Sequence, residues 1–445
     1  MIAPRHRLAL VPDRWWDEAF VDERAETAGQ ADRADRGASA IFLHAALIGC
    51  ICLQRFCVYL GGSPLFLCLP LFLMLAVWML ASGRAVFRPL SLALFAVFAI
   101  VGLLATLVAL DAPDPRVSGI SIASLGSLLI LYVGLTIQPG DRFDGSRAFD
   151  IFVFYVRLCA VLGIAQYLAQ FVGIRIFSFM LAVPALKPVL VEPLYNYHPI
   201  LAYGSTLLRS NGFFLVEPST FSQLLALGVL VDFFIRRDWR FMPVYGVAYL
   251  FTYAGTGLLA LAIACMIYVL VDHRDAPRIL AFSALALLLA LVSALAFPAQ
   301  FASLTGRAGE LGYSGTSAHA RYMTQFDVIA AMWGETRSLI GLGPGAMERA
   351  SFYMPGGGNP ALKLFVDYGL LGLASFLAFF VATLWRREIA VVSLFVFVNF
   401  QLGGGNLLFP PFVILAAVLC IWSRSPRGEE AVEDEAFLID REVRA

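Results

Sequence analysis

The chain has 445 residues, of which 60% are hydrophobic and 14% charged, and its mean hydropathy is +0.78. Soluble domains carry about a quarter charged residues, so the composition argues against a water-soluble enzyme and for a polytopic membrane protein. The 32 basic and 32 acidic residues cancel, which argues against a nucleic-acid binder.

Residues 1–40 are mixed in charge and contain no bilayer-length apolar run. They lack the basic start and apolar stretch of a cleaved signal peptide and read as a cytoplasmic tail. A window of roughly 20 residues then finds twelve candidate spans: 41–60, 64–82, 87–110, 118–138, 148–172, 219–235, 241–254, 256–271, 279–297, 361–384, 389–402 and 406–423. The spans 241–254 and 389–402 are short and abut glycine clusters, a pattern of tilted, broken or partly re-entrant segments. The polar stretch 424–445 forms a second tail. The expected fold is all-α, a transmembrane helical bundle of about 12 spans over 41–423 with a large periplasmic loop containing short helices.

Loop charge orients this bundle. Alternate loops carry arginine clusters, among them Arg84 and Arg88, Arg142 and Arg147, and Arg386 and Arg387. The intervening short loops, GGS (61–63), DAPDPR (111–116), AGTG (254–257) and GGGN (403–406), hold one arginine between them. The positive-inside rule then places both termini in the cytoplasm. Two long segments, about 173–218 and 298–360, fall on the outer side, and loops carried on a rigid scaffold are where chemistry concentrates.

The first long segment ends RSNGFFLVEPSTFSQLLALG (209–228). Arg209 and Glu217 precede a helix whose first turn holds Pro218, Ser219 and Thr220, an arrangement suited to an anion, a phosphate in particular. The same residues also read as an interfacial anchor and a helix-start charge. The second segment offers His319 and Arg321 in HARYMTQFDVIAAM (319–332), with Arg321 either a salt-bridged anchor or an anion clamp. Gly341, Gly343 and Gly345 follow as a flexible turn; no strand precedes them, so this is no dinucleotide fingerprint. Tyr195, Tyr197 and His198 are candidates for contact with carbohydrate. Within the spans, Arg157 lies near mid-bilayer and by its cost there marks a site facing the bundle or a water-filled cavity, with Gln166 nearby. Arg55 is expected to snorkel. All seven cysteines lie in apolar runs, so neither a disulfide framework nor a cysteine metal site is expected, and no spacing resembles HExxH, a Walker loop or a nucleophile elbow.

The ordered set of RSNGFFLVEPSTFSQLLALG, TYAGTGLLALAI (252–263), the arginine-led ARYMTQFDVIAAM running into GLGPG, and GNPALKLFVDYGLLGL (358–373) resembles the O-antigen polymerase and ligase superfamily over about 200–375. Ligases of that group carry a histidine next to the asparagine before the last large-loop helix. Here the stretch is Gly358, Asn359, Pro360, and Glu-Pro-Ser at 217–219 looks more like the exopolysaccharide-polymerase branch. The resemblance implies an inner-membrane polymerase that joins undecaprenyl-diphosphate-linked oligosaccharide units, donor and acceptor, at the periplasmic face, beside a chain-length co-polymerase. It further implies Arg209 and Arg321 on the diphosphate, Glu217 or His319 as base, and Asn359 and Lys363 on substrate, in an inverting transfer without metal or cofactor. An O-antigen ligase is the near alternative. A secondary transporter, with a midplane site at Arg157, is the alternative of another class.

Overall fold

A computed structural model describes residues 33–60, 63–175, 183–191, 206–271, 323–351 and 358–424, with 277, 279, 280 and 295. The chain is mostly helical. Among the described residues, five helices are long and apolar enough to cross a membrane: α1 (Arg33–Cys52), α3 (Pro89–Asp111), α5 (Ala148–Ala169, extended to Val172), α6 (Pro218–Leu230, extended by a π-helical turn to Arg236) and α11 (Pro360–Leu384). Shorter apolar helices occupy six more expected spans: α2 (Cys68–Ala81), α4 (Ile122–Val133), α7 (Met242–Thr252), α8 (Thr256–Val271), α12 (Ala390–Leu402) and α13 (Pro410–Cys420). The expected span 279–297 lies almost wholly outside the described residues. Two short helices, α9 (Thr324–Met332) and α10 (Arg337–Ile340), stand in the second long loop.

The first expected span needs correction. The helix covers Arg33–Cys52, eight residues earlier than the apolar window at each end. Beyond it the chain turns into strand β1 (Cys57–Leu60), paired antiparallel with β2 (Ser63–Phe66) in the register Cys57 with Phe66. Hydropathy counts Cys57, Val58, Tyr59 and Leu60 as more of the same helix, but β-branched and aromatic residues beside glycines suit a hairpin equally. The helix also takes in residues assigned to the tail, because Asp35 pairs with Arg84 at 2.7 Å and with Arg142 at 3.1 Å.

Several starts are written in proline. Pro89, Pro218, Pro360 and Pro410 each occupy the first turn of their helix, where the missing N–H costs nothing. On α3, Leu103, Leu104 and Leu107 are 53%, 53% and 61% exposed. A helix as apolar outside as inside is solvated by lipid. The core forms where α11 packs on α3, α6 on α8, and α12 on α8. Apolar burial adds little between helices in lipid, so close approach and fit hold them. Gly257 lies so near α6 that a Cβ there would meet the Ser222 carbonyl. Phe376 fills the centre, edge-on to Phe98 at 5.2 Å and to Tyr132 at 4.9 Å.

The loops sort onto two opposite faces. On the arginine-rich face, β3 (Ala85–Phe87) pairs with β4 (Ile137–Pro139), Arg236 meets Asp150 at 2.7 Å, and Arg386 donates to the Ser423 carbonyl at 2.6 Å. On the other face, Val117 bridges to Ala350, Ser121 N donates to the Pro344 carbonyl at 2.7 Å, and Arg116 meets Glu335 at 2.7 Å. Arg116 is shared with Asp114 at 2.8 Å, and this contact holds the Asp114 carboxyl below the usual carboxylate range.

Candidate functional site

The second face opens into a cavity of about 760 Å³. Its walls come from five places: the β2 strand, the start of α4, the start of α6, the turn 345–349, and the glycine turn 403–405. Ser121, Ser124, Ser219 and Thr220 supply polar lining, and Leu65, Phe66, Ile130 and Phe409 supply apolar lining. Helices α4 and α6 both begin at the cavity, so the positive ends of two peptide dipoles lie at it.

Glu217 is on the cavity wall and exposed. It is the N-cap of α6 in extended conformation (φ −147°, ψ 161°), and its carboxylate makes no capping hydrogen bond. The loop that delivers it is held by buried polar groups. Arg55 donates Nε to the Leu215 carbonyl at 3.0 Å and Nη2 to that of Val216 at 3.2 Å. Gln54 Oε1 accepts from Val216 N at 3.0 Å. Asn211 Nδ2 donates to the Leu215 carbonyl at 3.0 Å, and its Oδ1 accepts from Gln166 at 2.9 Å and from Phe213 N at 3.1 Å. Phe213 itself has φ 70°, a left-handed conformation that costs a non-glycine residue about 1 kcal/mol or more. Gln54, Arg55 and Asn211 are all almost fully buried. Burying an arginine is costly unless its donors are used, so this loop is locked at considerable expense just before Glu217. Arg55 therefore does not snorkel; it is a buried brace for the loop.

The 345–349 part of the wall is built on Asp367, which is fully buried. Its carboxylate accepts from Gly345 N at 3.0 Å and Met347 N at 2.9 Å, and meets Lys363 Nζ at 3.0 Å. Lys363 also grips both oxygens of Glu348 at 2.7 Å. The turn therefore presents Glu348 and Arg349 to the cavity, with the Arg349 guanidinium lying over Gly345. Among the described residues, no carboxylate pairs with Arg349, which is exposed. The GLGPG stretch is pinned, not flexible. Leu342 N and Gly343 N donate to the carbonyls of Val366 and Asp367, which α11 leaves available by breaking at Gly369 (φ 68°, ψ −170°).

The other expected site residues fall in several places. Arg209 lines a separate small pocket with Gln166, Gln170 and Arg175. His319, Arg321, Tyr195 and His198 lie outside the described residues. Asn359 caps α11, accepting from Leu362 N at 2.8 Å. Lys363 bridges two carboxylates. Arg157 faces the neighbouring helices at the arginine-rich end, where it meets buried Asp232 at 2.9 Å and Asp238 at 2.8 Å and stacks 4.1 Å over Phe241. That contact holds Asp238 below the usual carboxylate range. Asp232 also accepts from Arg236 at 2.6 Å and Tyr245 at 2.8 Å, so Arg157 belongs to a closed ion network. Glu348 and Arg349 carry no sequence signal of their own, although they stand three and four residues after GLGPG.

Neither comparison with known protein families nor comparison with characterised proteins gives a match. What the fold defines is a helical protein that has, among the described residues, five helices long and apolar enough to cross a membrane.

Proposed function

We propose that this chain is a membrane glycosyltransferase, a polysaccharide polymerase joining oligosaccharide units carried on a polyprenyl diphosphate, with the cavity on the periplasmic side of the bacterial inner membrane. The observation that carries the reading is one cavity that exposes the Glu217 carboxylate and the Arg349 guanidinium together. Transfer from a lipid diphosphate builds charge on the leaving diphosphate, and arginine forks with helix N-termini stabilise it without a metal. The acceptor hydroxyl loses its proton to the Glu217 carboxylate, and a single displacement inverts the anomeric carbon. The mixed polar and apolar lining suits a sugar headgroup on a lipid tail. The family resemblance assigns Arg209 and Arg321 to the diphosphate; in the cavity itself the arginine is Arg349, while Arg209 lines a separate pocket. A secondary transporter with its site at Arg157 is the alternative reading, and the polar lining of the cavity around Glu217 and Arg349 favours the enzyme over it.

Glu217→Gln keeps shape and hydrogen bonding but removes basicity. In membranes supplied with lipid-diphosphate oligosaccharide, polymer formation should fall roughly 10²–10⁴-fold with donor binding preserved. A rate within a few-fold of the parent protein would show that Glu217 is not the base.

A further inference from the structure

The arginine-rich face carries a second pocket, of about 320 Å³, lined by Arg88, Arg386 and Arg387 together with Glu388 and Trp385. Several other arginines of this face are matched to acids: Arg84 and Arg142 share Asp35, Arg236 meets Asp150 and Asp232, and Arg157 meets Asp232 and Asp238. In the pocket three guanidiniums face one carboxylate, Glu388, at 3.5 Å from Arg386. Arg386 is partly engaged on the Ser423 carbonyl, and Arg88 reaches that of Thr383 at only 3.5 Å. Arg387 is exposed and, among the described residues, meets no carboxylate. Clustered like charges repel, and a bound anion relieves them.

The apolar surface beside the pocket indicates where that anion comes from. Val86 and Phe87 are 46% and 50% exposed, and Leu90, one helical position past Pro89, is 55% exposed. Trp385 on the wall is an aromatic of the kind that sits at the level of lipid headgroups. We propose that this pocket binds the phosphate of an anionic glycerophospholipid, with its acyl chains against Phe87 and Leu90. Arginine forks match phosphate oxygens in pairs, and basic pockets between membrane helices take anionic headgroups.

The purified chain in detergent tests this by thermal unfolding under titration with phosphatidylglycerol, phosphatidylcholine or inorganic phosphate. Phosphatidylglycerol should raise Tm saturably, and the other two should not. Each pocket arginine removed should weaken the apparent Kd about fivefold, from roughly 1 kcal/mol per basic residue. The loss is thus about fivefold for Arg387→Gln and about twenty-five-fold for Arg88→Gln with Arg387→Gln. Arg237→Gln, exposed on the same face outside the pocket, should change nothing. Unchanged affinity in Arg387→Gln, equal weakening in Arg237→Gln, or an equal Tm rise from inorganic phosphate each overturns the lipid site. If the double variant does not fold, Arg387→Gln alone decides, since its side chain is exposed.

Discussion

Asp367 has no exposed surface, yet it fixes two exposed residues. Its carboxylate takes two backbone N–H groups from the 345–347 turn and the Lys363 ammonium, and Lys363 in turn holds Glu348 at the cavity. Removing one member of such a buried pair leaves an uncompensated charge, at a cost of about 3–5 kcal/mol. Asp367→Asn should lower stability by that amount in chemical or thermal unfolding, because the amide also replaces one acceptor with a donor facing an N–H. A change within about 0.5 kcal/mol would show that Asp367 contributes no more than a surface group. This coupling also explains which site residues were legible in the sequence. Glu217 was legible because a carboxylate, a proline and two hydroxyls at a helix start form a local pattern. Glu348 and Arg349 were not, because contacts twenty residues further on place them. Arg55 reads wrongly from the sequence for the same reason: its acceptors, Leu215 and Val216, are 160 and 161 positions away along the chain.

At the scale of elements, apolar length was a sound guide where one helix fills a window and a poor one where the chain changes conformation inside it. The expected span 87–110 corresponds to α3 at Pro89–Asp111, with proline marking the start. The window 41–60 merged a helix end with a strand of equal hydropathy. In 361–384 the bounds agree with α11, but the break inside it was invisible to hydropathy. Gly369 has a backbone conformation that only glycine adopts freely, and a Cβ there would lie 2.3 Å from the Leu339 backbone. The conformational strain alone costs about 1–3 kcal/mol, and the clash is with backbone that cannot rotate away. Gly369→Ala should therefore destabilise by more than that range and displace the 341–349 turn. Gly126→Ala in α4 is the control. Nothing lies within 4 Å of its Cβ position, so it should be neutral or gain up to about 1 kcal/mol from helix propensity. Equal stability of the two variants would mean that α11 tolerates a straight path and that the break is incidental.

For the whole molecule, charge separates the faces as apolar length separates the spans. The loops bearing Arg84, Arg88, Arg142, Arg236 and Arg386 gather at one end through contacts between distant segments, such as Arg424 N to the Gly145 carbonyl at 3.1 Å. The cavity, with Glu217 and Arg349, opens at the other. Positive loops are retained in the cytoplasm during insertion, so the arginine-rich end should be cytoplasmic and the cavity periplasmic. Ser118 and Ser146 are exposed at the cavity end and the arginine-rich end respectively, and the described cysteines are buried or half-buried, which keeps background labelling low. In intact cells Ser118→Cys should react with a membrane-impermeant maleimide, and Ser146→Cys should react only after permeabilisation. The reverse pattern would place the cavity in the cytoplasm. A lipid-diphosphate donor and acceptor would then have to meet on the inner leaflet, and the polymerase reading would fail even if Glu217→Gln proved inactive.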